Sequence, residues 1–338
     1  MLQGGGMSLS PAAIKHKRGS SEFVAKWASL LALVAELAFF SLMMPSFFLM
    51  PSNMVTILRS ISITTIMGIG LTITLAIGGF DLSSGAMATM SGSLVISFIV
   101  WYKMSLWLAI PLTVALTMVL MMITMLLIVK FKIPDLLATL AMMFMLDGLS
   151  LTYSGGGAIS EGMPMPDGSE TIGRISQAFK NMGQAPTIII IMVVMVAVVH
   201  VFLTYTKYGR YIYAVGGNKE AARLSGIPIY RYRVYAGILT AVFIGFGGIL
   251  VASRNMSAQI QGAAGYAMPA ISAVFIGRSV AGAGKPNAFG TFIGASLVGI
   301  LENGLIMMSV PYYSLNAIKG AVLAFALAST YYSSTSDS

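Results

Sequence analysis

The chain alternates between apolar runs long enough to cross a lipid bilayer and short polar connections, a pattern that restricts its fold severely. Runs of about 20 residues, enough for a membrane-spanning helix, fall at 27–49, 54–78, 83–101, 105–129, 134–153, 186–206, 233–252, 266–282, 288–308 and 311–331. Only 9% of the 338 residues are charged, against roughly 25% in soluble proteins. The sequence therefore predicts an all-α, polytopic membrane helix bundle with about ten transmembrane helices.

The composition excludes several kinds of chemistry. Cysteine is absent, so the chain has no disulfide, thiol nucleophile or cysteine metal site. The two histidines, His16 and His200, are far apart in sequence and indicate no metal site. The nearest string to a phosphate-binding loop, Gly284-Lys285, continues with Pro286 where that motif needs a hydroxyl residue, and no hydrolase motif appears. We therefore predict a non-enzymatic chain with no metal or cofactor of its own.

The basic residues predict the orientation of the bundle. With ten spans both termini lie on one side, and a cytoplasmic N-terminus puts fourteen lysines and arginines in inside segments against five outside. Because such residues concentrate in cytoplasmic segments, we predict both termini in the cytoplasm. The net charge of +9 then reflects topology, and no nucleic-acid partner is predicted. The predicted units are a tail at 1–26, a transmembrane domain at 27–331 with an external loop at 154–185, and a second tail at 332–338.

Residues 207–233 form the most polar connection between two apolar runs. The segment holds six basic residues against one acid, Glu220, and burying that charge in lipid would be costly, so it lies in water. Asn218 is predicted to cap a short helix at 219–224 that Gly226 ends. Pro228 prevents this helix from continuing. Glycines are predicted as hinges on both sides of the helix, at Gly216, Gly217 and Gly226.

The residues alone leave two interpretations of this connection open. A short exposed helix between hinges suits docking to another protein. A solvated loop that only joins two spans is the alternative.

The string GGFDLSSG at 78–85 interrupts the apolar pattern between the second and third runs. Two glycines break the helix, and Asp81 with the following serines can cap the next one. Broken membrane helices occur where freed backbone groups face protein or water. The segment is thus either part of a substrate path or a capped turn at the cytoplasmic end, with capping favoured for Asp81. The path candidates are Gly78, Gly79, Asp81, Ser83, Gly85 and Asn303.

Four ionisable residues fall inside predicted spans, where such groups are usually paired or face water. They are Glu36, Asp147, Glu302 and Lys319. In a tight hairpin around Val310, Glu302 and Lys319 both lie about 12 Å from the turn. We therefore predict an ion pair between them, with a structural or a transport role. Gly290 and Gly294 have the spacing of small residues that lets helices approach closely.

Three strings carry a resemblance to a known family: GGFDLSSG at 78–85, GRYIYAVGGNKEAARLSGI at 209–227 and NAFGTFIGASLVGILENGL at 287–305. They resemble the permease subunits of bacterial monosaccharide ATP-binding cassette importers of the ribose type, and the resemblance covers nearly the whole chain. The sequence departs from the usual pattern of that family at Phe80, Ser84, Ala267, Pro269 and Arg278.

The resemblance implies a multi-pass subunit of the bacterial inner membrane that pairs with a second permease, as a homodimer within membrane lipid. It also implies a cytoplasmic ATPase partner that holds ATP and magnesium, and a periplasmic binding protein that delivers the sugar. The ATPase contacts implied by the matching string are Gly209, Arg210, Gly216, Gly217, Asn218, Glu220, Ala221, Ala222, Arg223 and Gly226.

Alternative functions remain open on the sequence. An ion-coupled secondary carrier for a small polar solute would use Asp81, Glu36, Asp147 and the Glu302 pair as its proton or sodium site. An importer of the same type for a non-pentose substrate, such as a sugar-derived signal molecule, is a second alternative. A lipid-modifying membrane enzyme is a third, but the chain shows no grouping of nucleophile, base and metal ligands for it.

Overall fold

The computed structural model describes residues 29–278, 280, 284–311, 313–315, 317–321 and 324. The helices are α1 (Ser29–Met43), α2 (Pro51–Ala76), α3 (Ser84–Val100), α4 (Leu106–Val129), α5 (Asp135–Tyr153), α6 (Gln177–Met182), α7 (Thr187–Tyr205), α8 (Lys207–Gly217), α9 (Lys219–Leu224), α10 (Ile229–Asn255), α11 (Ala264–Gly277) and α12 (Ala288–Met307). Residues 313–315 and 317–321 are also helical. The predicted tails at 1–26 and 332–338 lie outside the described residues.

Nine of these helices follow the predicted apolar runs. Within the described part of the chain, six are long and apolar enough to cross a membrane: α2, α4, α5, α7, α10 and α12. Three more, α1, α3 and α11, are apolar but shorter. The tenth predicted span, 311–331, falls mostly on residues that are not described. The architecture is therefore an all-α membrane bundle.

The core of the bundle is built on α2, α3 and α10. Every residue of α3 is buried, and α10 packs against both α2 and α3. In contrast, α4, α5 and α7 leave most of their apolar side chains at least partly exposed. A helix that is apolar all round and exposed on one side is suited to contact lipid or another membrane helix.

Small residues bring α11 and α12 close together. A Cβ atom at Gly290 would overlap the carbonyl of Gly277, and one at Gly294 would overlap the carbonyl of Ala273. The spacing that predicted a close helix contact here is confirmed.

Buried hydroxyl groups link the core helices to one another. Thr72 on α2 and Thr291 on α12 have their hydroxyl oxygens 2.6 Å apart, and Thr74 pairs with Thr240 on α10 at 2.7 Å. The Ser91 hydroxyl on α3 donates to the Gly245 carbonyl at 2.6 Å. Since the membrane interior offers no water, such bonds between helices satisfy polar groups internally.

The connection at 154–185 is folded onto one end of the bundle. Its strand β1 (Ile159–Ser160) pairs in antiparallel fashion with β2 (Ser257–Ala258), which follows α10. The side chain of Phe179 on α6 is fully buried, and the Ser253 hydroxyl donates to the Phe179 carbonyl at 2.5 Å. This end is opposite to the one that carries α8 and α9.

Candidate functional site

Residues 207–233, which we call the coupling surface, begin with a helix that the sequence did not predict. The Thr206 hydroxyl accepts a hydrogen bond from the Gly209 amide at 3.1 Å and caps α8. Ile212 and Val215 are buried against the ends of α2 and α7. The prediction that Gly216 and Gly217 form a hinge was wrong, because this packing keeps both residues helical to the end of α8.

The second helix of the coupling surface matches its prediction. Helix α9 runs Lys219–Leu224, and the Asn218 side chain accepts from the Ala221 amide at 3.0 Å. Gly226 ends the helix with a φ of 78°, a backbone conformation that suits glycine. Ala222 is the one buried residue of α9, so the rest of the helix is open for contacts with a partner.

The exposed side chains of the coupling surface combine basic and apolar character. Leu224 is 85% exposed, and Tyr208, Tyr211 and Tyr230 are also exposed. Exposed basic residues surround them: Lys207, Arg210, Lys219, Arg223 and Arg231. The Arg223–Glu220 pair, 3.3 Å apart and well exposed, contributes little to stability. Tyrosine and arginine are enriched in the energetically important parts of protein interfaces, so this surface suits binding of another protein.

Contacts at Gly216 connect the coupling surface to the core. A Cβ atom at Gly216 would overlap the carbonyl oxygen of Ala76, the last residue of α2. A Cβ atom at the neighbouring Gly217 would meet nothing within 4 Å. The Tyr213 hydroxyl on α8 also donates to the Pro286 carbonyl at 2.7 Å. Burial raises the pKa of Tyr213 to about 12, so this hydroxyl, already protonated at neutral pH, stays a donor under alkaline conditions as well. A movement of α8 would thus be transmitted to α2 and to the segment before α12.

A largely buried ion pair beside this contact joins three further segments. The Arg233 guanidinium at the start of α10 donates to both carboxylate oxygens of Asp135, at 2.5 Å for Oδ1. Asp135 Oδ2 also accepts from the Phe80 amide at 3.3 Å. One helical turn further, the Thr139 hydroxyl accepts from the Leu82 amide at 3.2 Å. The broken segment between α2 and α3 is therefore held by α5 and, through Asp135, by the coupling surface.

This ion pair was not predicted from the sequence. Arg233 was counted among the basic residues in water, and Asp135 was not singled out. A signal was present: Asp135 follows Pro134 at the start of an apolar run, as the one acid in a connection that contains Lys130 and Lys132.

Asp81 does not cap α3 as predicted. Its Oδ1 accepts from the Ser83 amide at 2.8 Å and from the Ser83 hydroxyl at 2.6 Å. The N-cap residue is Ser83, whose side chain makes no capping bond. A short aspartate side chain reaches the amide two residues on more easily than the helix start, so it stabilises a turn instead. Asp81 is buried, and its Oδ2 has no hydrogen-bond partner among the described residues.

The other path candidates lie at two depths of the bundle. Gly78, with a φ of 77°, and Gly79 lie beside the coupling surface, since a Cβ at Gly78 would come within 3.5 Å of Gly216. Gly85 lies in the first turn of α3 against Ala264 and Ala267 of α11. Asn303 lies towards the C-terminal end of α12.

The structure brings together the two side chains predicted to form an intramembrane pair. Lys319 Nζ lies 3.4 Å from Glu302 Oε2, with 19% and 38% of the side chains exposed. The neighbouring Asn303 has a buried Oδ1 without a hydrogen-bond partner in the described part of the chain. Partial exposure limits what the pair contributes to stability.

We expect Glu302→Ala or Lys319→Ala to lower the thermal stability of the purified protein, because each leaves one charge unpaired within the bundle. The reversed pair, Glu302→Lys with Lys319→Glu, should recover part of that loss. The measurement is the unfolding midpoint in detergent for the wild type and five variants: the two alanine variants, Glu302→Lys alone, Lys319→Glu alone, and the reversed pair. Equal midpoints for the double variant and the worse of the two charge-reversed single variants would contradict a direct pair.

The remaining intramembrane acids are placed apart. Glu36 lies on α1, and its Oε2 has no hydrogen-bond partner among the described residues. Asp147 on α5 lines a small polar cavity with hydroxyl and amide side chains from α3, α5 and the loop before α11, among them Thr89, Ser93 and Gln261. Over the described residues, no three histidine or acidic side chains come close enough to hold a metal ion. The acids that would form the ion site of a secondary carrier therefore do not gather into a cluster of three in this part of the chain.

Two of the departures from the family pattern lie in α11, where Ala267 is buried and Pro269 sits inside the helix. Another departure, Arg278, follows α11, and its Nε donates to the Gly284 carbonyl at 3.0 Å.

Comparison with known proteins places this arrangement in a family. Residues 53–327 match the model of the permease component of branched-chain amino acid transport systems. The chain belongs to this family. It is 31% identical to the ribose import permease protein of Escherichia coli (strain K12) over 299 residues, 88% of this chain and 91% of that protein. The ribose import permease protein of Bacillus subtilis (strain 168) is 38% identical over 287 residues, 85% and 87% of the two chains.

A third relative within the family is the L-arabinose transport system permease protein of Escherichia coli (strain K12). It is 30% identical over 275 residues, 81% of each chain. No solved structure matches this permease.

Proposed function

We propose that this permease imports a monosaccharide, a pentose such as ribose, across the bacterial inner membrane as the membrane subunit of an ATP-binding cassette importer. The observation that carries the proposal is the similarity to ribose import permeases over more than four-fifths of the chain. The chain has no nucleotide-binding motif of its own, so a separate ATPase that holds ATP and magnesium supplies the energy. A periplasmic binding protein delivers the sugar to the end of the bundle that carries β1, β2 and α6.

The proposed topology has ten spans with both termini in the cytoplasm. The coupling surface is then cytoplasmic, in agreement with its exposed basic residues. A second copy of the permease completes the assembly, since the exposed apolar faces of α4, α5 and α7 offer surface for membrane lipid and for another subunit.

The proposed mechanism is rigid transmission of ATPase closure into the core. The ATPase holds α9 and the exposed face of α8, and its closure displaces both. Direct contact at Gly216 passes the displacement to the end of α2. The ion pair between Arg233 on α10 and Asp135 on α5 passes it to α5, and the bond from the Phe80 amide to Asp135 passes it to the broken segment. Packed helices that have two arrangements respond to such a push by rigid-body shifts. The broken segment at 77–83 would move with them and open the path.

Sugar uptake by a deletion strain of the native host tests the proposal. Cells that lack this chain should lose uptake of radiolabelled ribose, or of a related pentose from a panel that includes arabinose and xylose, and a plasmid copy should restore it. Leucine is the comparison substrate, because the family description names branched-chain amino acids. Loss of leucine uptake with normal sugar uptake would overturn the proposed substrate class.

Reversing one charge on α9 tests the proposed coupling surface. We expect Arg223→Glu to reduce the amount of ATPase that co-purifies with the tagged permease by severalfold, because an exposed arginine at the centre of an interface is replaced by an opposite charge. The unfolding midpoint should stay within about 1 °C, since Arg223 is exposed and its ion pair contributes little. Lys103→Glu, at the opposite end of the bundle, is the matched control. Equal ATPase recovery from Arg223→Glu and Lys103→Glu would place the docking site elsewhere.

A further inference from the structure

We infer that a groove between α7, α8 and α12 is a binding site for one anionic phospholipid. The groove has a volume of about 1130 Å³, larger than a typical small-molecule pocket. Arg210 belongs both to the groove and to the coupling surface, but the groove lies outside the contacts of Gly216 and Asp135 described above.

The groove has one charged end and one apolar end. The end next to α8 holds Arg210 from α8 and Lys285 from the segment before α12, and His200 of α7 also lines it. Further along the helices the wall is formed by Met192, Val196 and Phe292. No acidic side chain lines it within the described residues, so the two cations are not neutralised by the groove itself.

The length of the groove fits one leaflet of a bilayer. The α7 residues that line it run from Met192 to Thr204, which is about 18 Å at 1.5 Å per residue. Half of a typical hydrocarbon core is about 15 Å. The charged end of the groove lies at the level of the coupling surface, and its apolar end points towards the middle of the membrane. A phospholipid has the same order, with its headgroup at the surface and its acyl chains inside. Basic pockets between membrane helices are known to bind anionic headgroups.

Charge also selects this occupant over the N-terminal segment of the same chain. Residues 1–28, which precede the described part, contain four basic residues and one acid, Glu22. Such a segment is repelled by Arg210 and Lys285. A second copy of the chain would cover the apolar wall with the uncharged faces of α4 or α7 and leave the two cations unpaired. An anionic phospholipid satisfies both ends of the groove.

The experiment measures the lipid retained by the full-length permease purified in mild detergent, after incubation with equal amounts of phosphatidylglycerol and phosphatidylcholine of the same acyl chains. Native mass spectrometry should find phosphatidylglycerol bound in preference. The double variant Arg210→Glu, Lys285→Glu should retain at least about tenfold less of it, because two attractive charges become repulsive. Arg231→Glu, another exposed basic residue of the coupling surface outside the groove, should retain the wild-type amount.

A second pair of variants leaves the charges intact. Ala197→Trp fills the apolar part of the groove, whereas Val198→Trp adds the same side chain to the neighbouring exposed position outside it. The former should lose the lipid and the latter should keep it, with similar unfolding midpoints for both. The inference would be overturned if the wild type bound the two lipids equally. It would also be overturned if Ala197→Trp retained as much phosphatidylglycerol as the wild type.

Photocrosslinking distinguishes the lipid from a protein occupant. With Ala197 replaced by p-benzoylphenylalanine, irradiation of membranes should add the mass of one phospholipid to the chain. An adduct between two copies of the chain would instead assign the groove to a permease dimer and refute the lipid site.

The lipid site depends on the proposed function in one respect only: the proposed orientation decides which leaflet of the membrane supplies the lipid. Because no readout requires ATP or sugar, its failure and that of the proposed function are distinguishable.

Discussion

Gly216→Ala is expected to reduce sugar uptake at least about tenfold, because even one added methyl group at an overpacked contact costs 1–3 kcal/mol. The new Cβ atom would overlap the carbonyl oxygen of Ala76. Since the obstacle is backbone and not a flexible side chain, α8 and the end of α2 must separate. The separation breaks the direct contact through which we propose that the coupling surface acts on the core.

Gly217→Ala is the matched control for this prediction. It lies next to Gly216 at the end of α8, is exposed, and has open space where its Cβ would be. Uptake and the unfolding midpoint should both stay near wild type. The measurements are radiolabelled sugar uptake in the complemented deletion strain and the unfolding midpoint of each purified variant. Equal uptake for the two variants would refute the role of the Gly216 contact.

ATPase activity separates loss of coupling from loss of folding. If Gly216→Ala assembles with its ATPase and hydrolyses ATP without moving sugar, the contact transmits motion. If the variant fails to assemble and unfolds at lower temperature, the contact is structural, and the proposed path of transmission through α2 fails.

The helix α9 could be predicted from sequence because its signals are local. Asn218, Gly226 and Pro228 act on their nearest neighbours, and each specifies a start or a stop whatever the rest of the chain does. Helix α8 could not, because its formation depends on Ile212 and Val215 packing against distant helices. Two terminal glycines, which favour a hinge in isolation, were overridden by that tertiary contact.

Sequence separation explains why one side-chain pair could be predicted from the sequence and another could not. Glu302 and Lys319 belong to neighbouring apolar runs joined by a short turn, so a count of residues placed them at one depth. Asp135 and Arg233 are 98 residues apart, and no periodicity relates them. The prediction for Asp81 was wrong for a different reason. A carboxylate before a helix can accept a hydrogen bond either from the first turn of the helix or within a tight turn, and composition does not decide between the two.

The shorter helices show a limit of hydropathy. The runs at 27–49 and 266–282 predicted full spans, but the corresponding helices end earlier, at Met43 and Gly277. Turns follow Met43 before Pro51 begins α2, and hydropathy does not register that change of backbone conformation.

Asp135→Ala is expected to destabilise the permease by on the order of 3 kcal/mol, because it leaves the Arg233 guanidinium unpaired in a largely buried position. It also removes the acceptor for the Phe80 amide. Import should fall with stability, since the broken segment at 77–83 loses its attachment to α5. Arg231→Ala, exposed and two residues before Arg233, should change stability by less than about 0.5 kcal/mol.

Two further variants separate the charge from the backbone bond. Asp135→Asn keeps an oxygen for the Phe80 amide but removes the charge, so it should be less destabilising than Asp135→Ala while still leaving Arg233 unpaired. Adding Arg233→Ala to Asp135→Ala removes the unpaired cation and should recover part of the lost stability. Unfolding midpoints of these variants give the coupling between the two side chains. If the loss of stability in the double variant equals the sum of the losses in Asp135→Ala and Arg233→Ala, the two side chains are not coupled. Asp135 would then stabilise the bundle only through its bond to the broken segment.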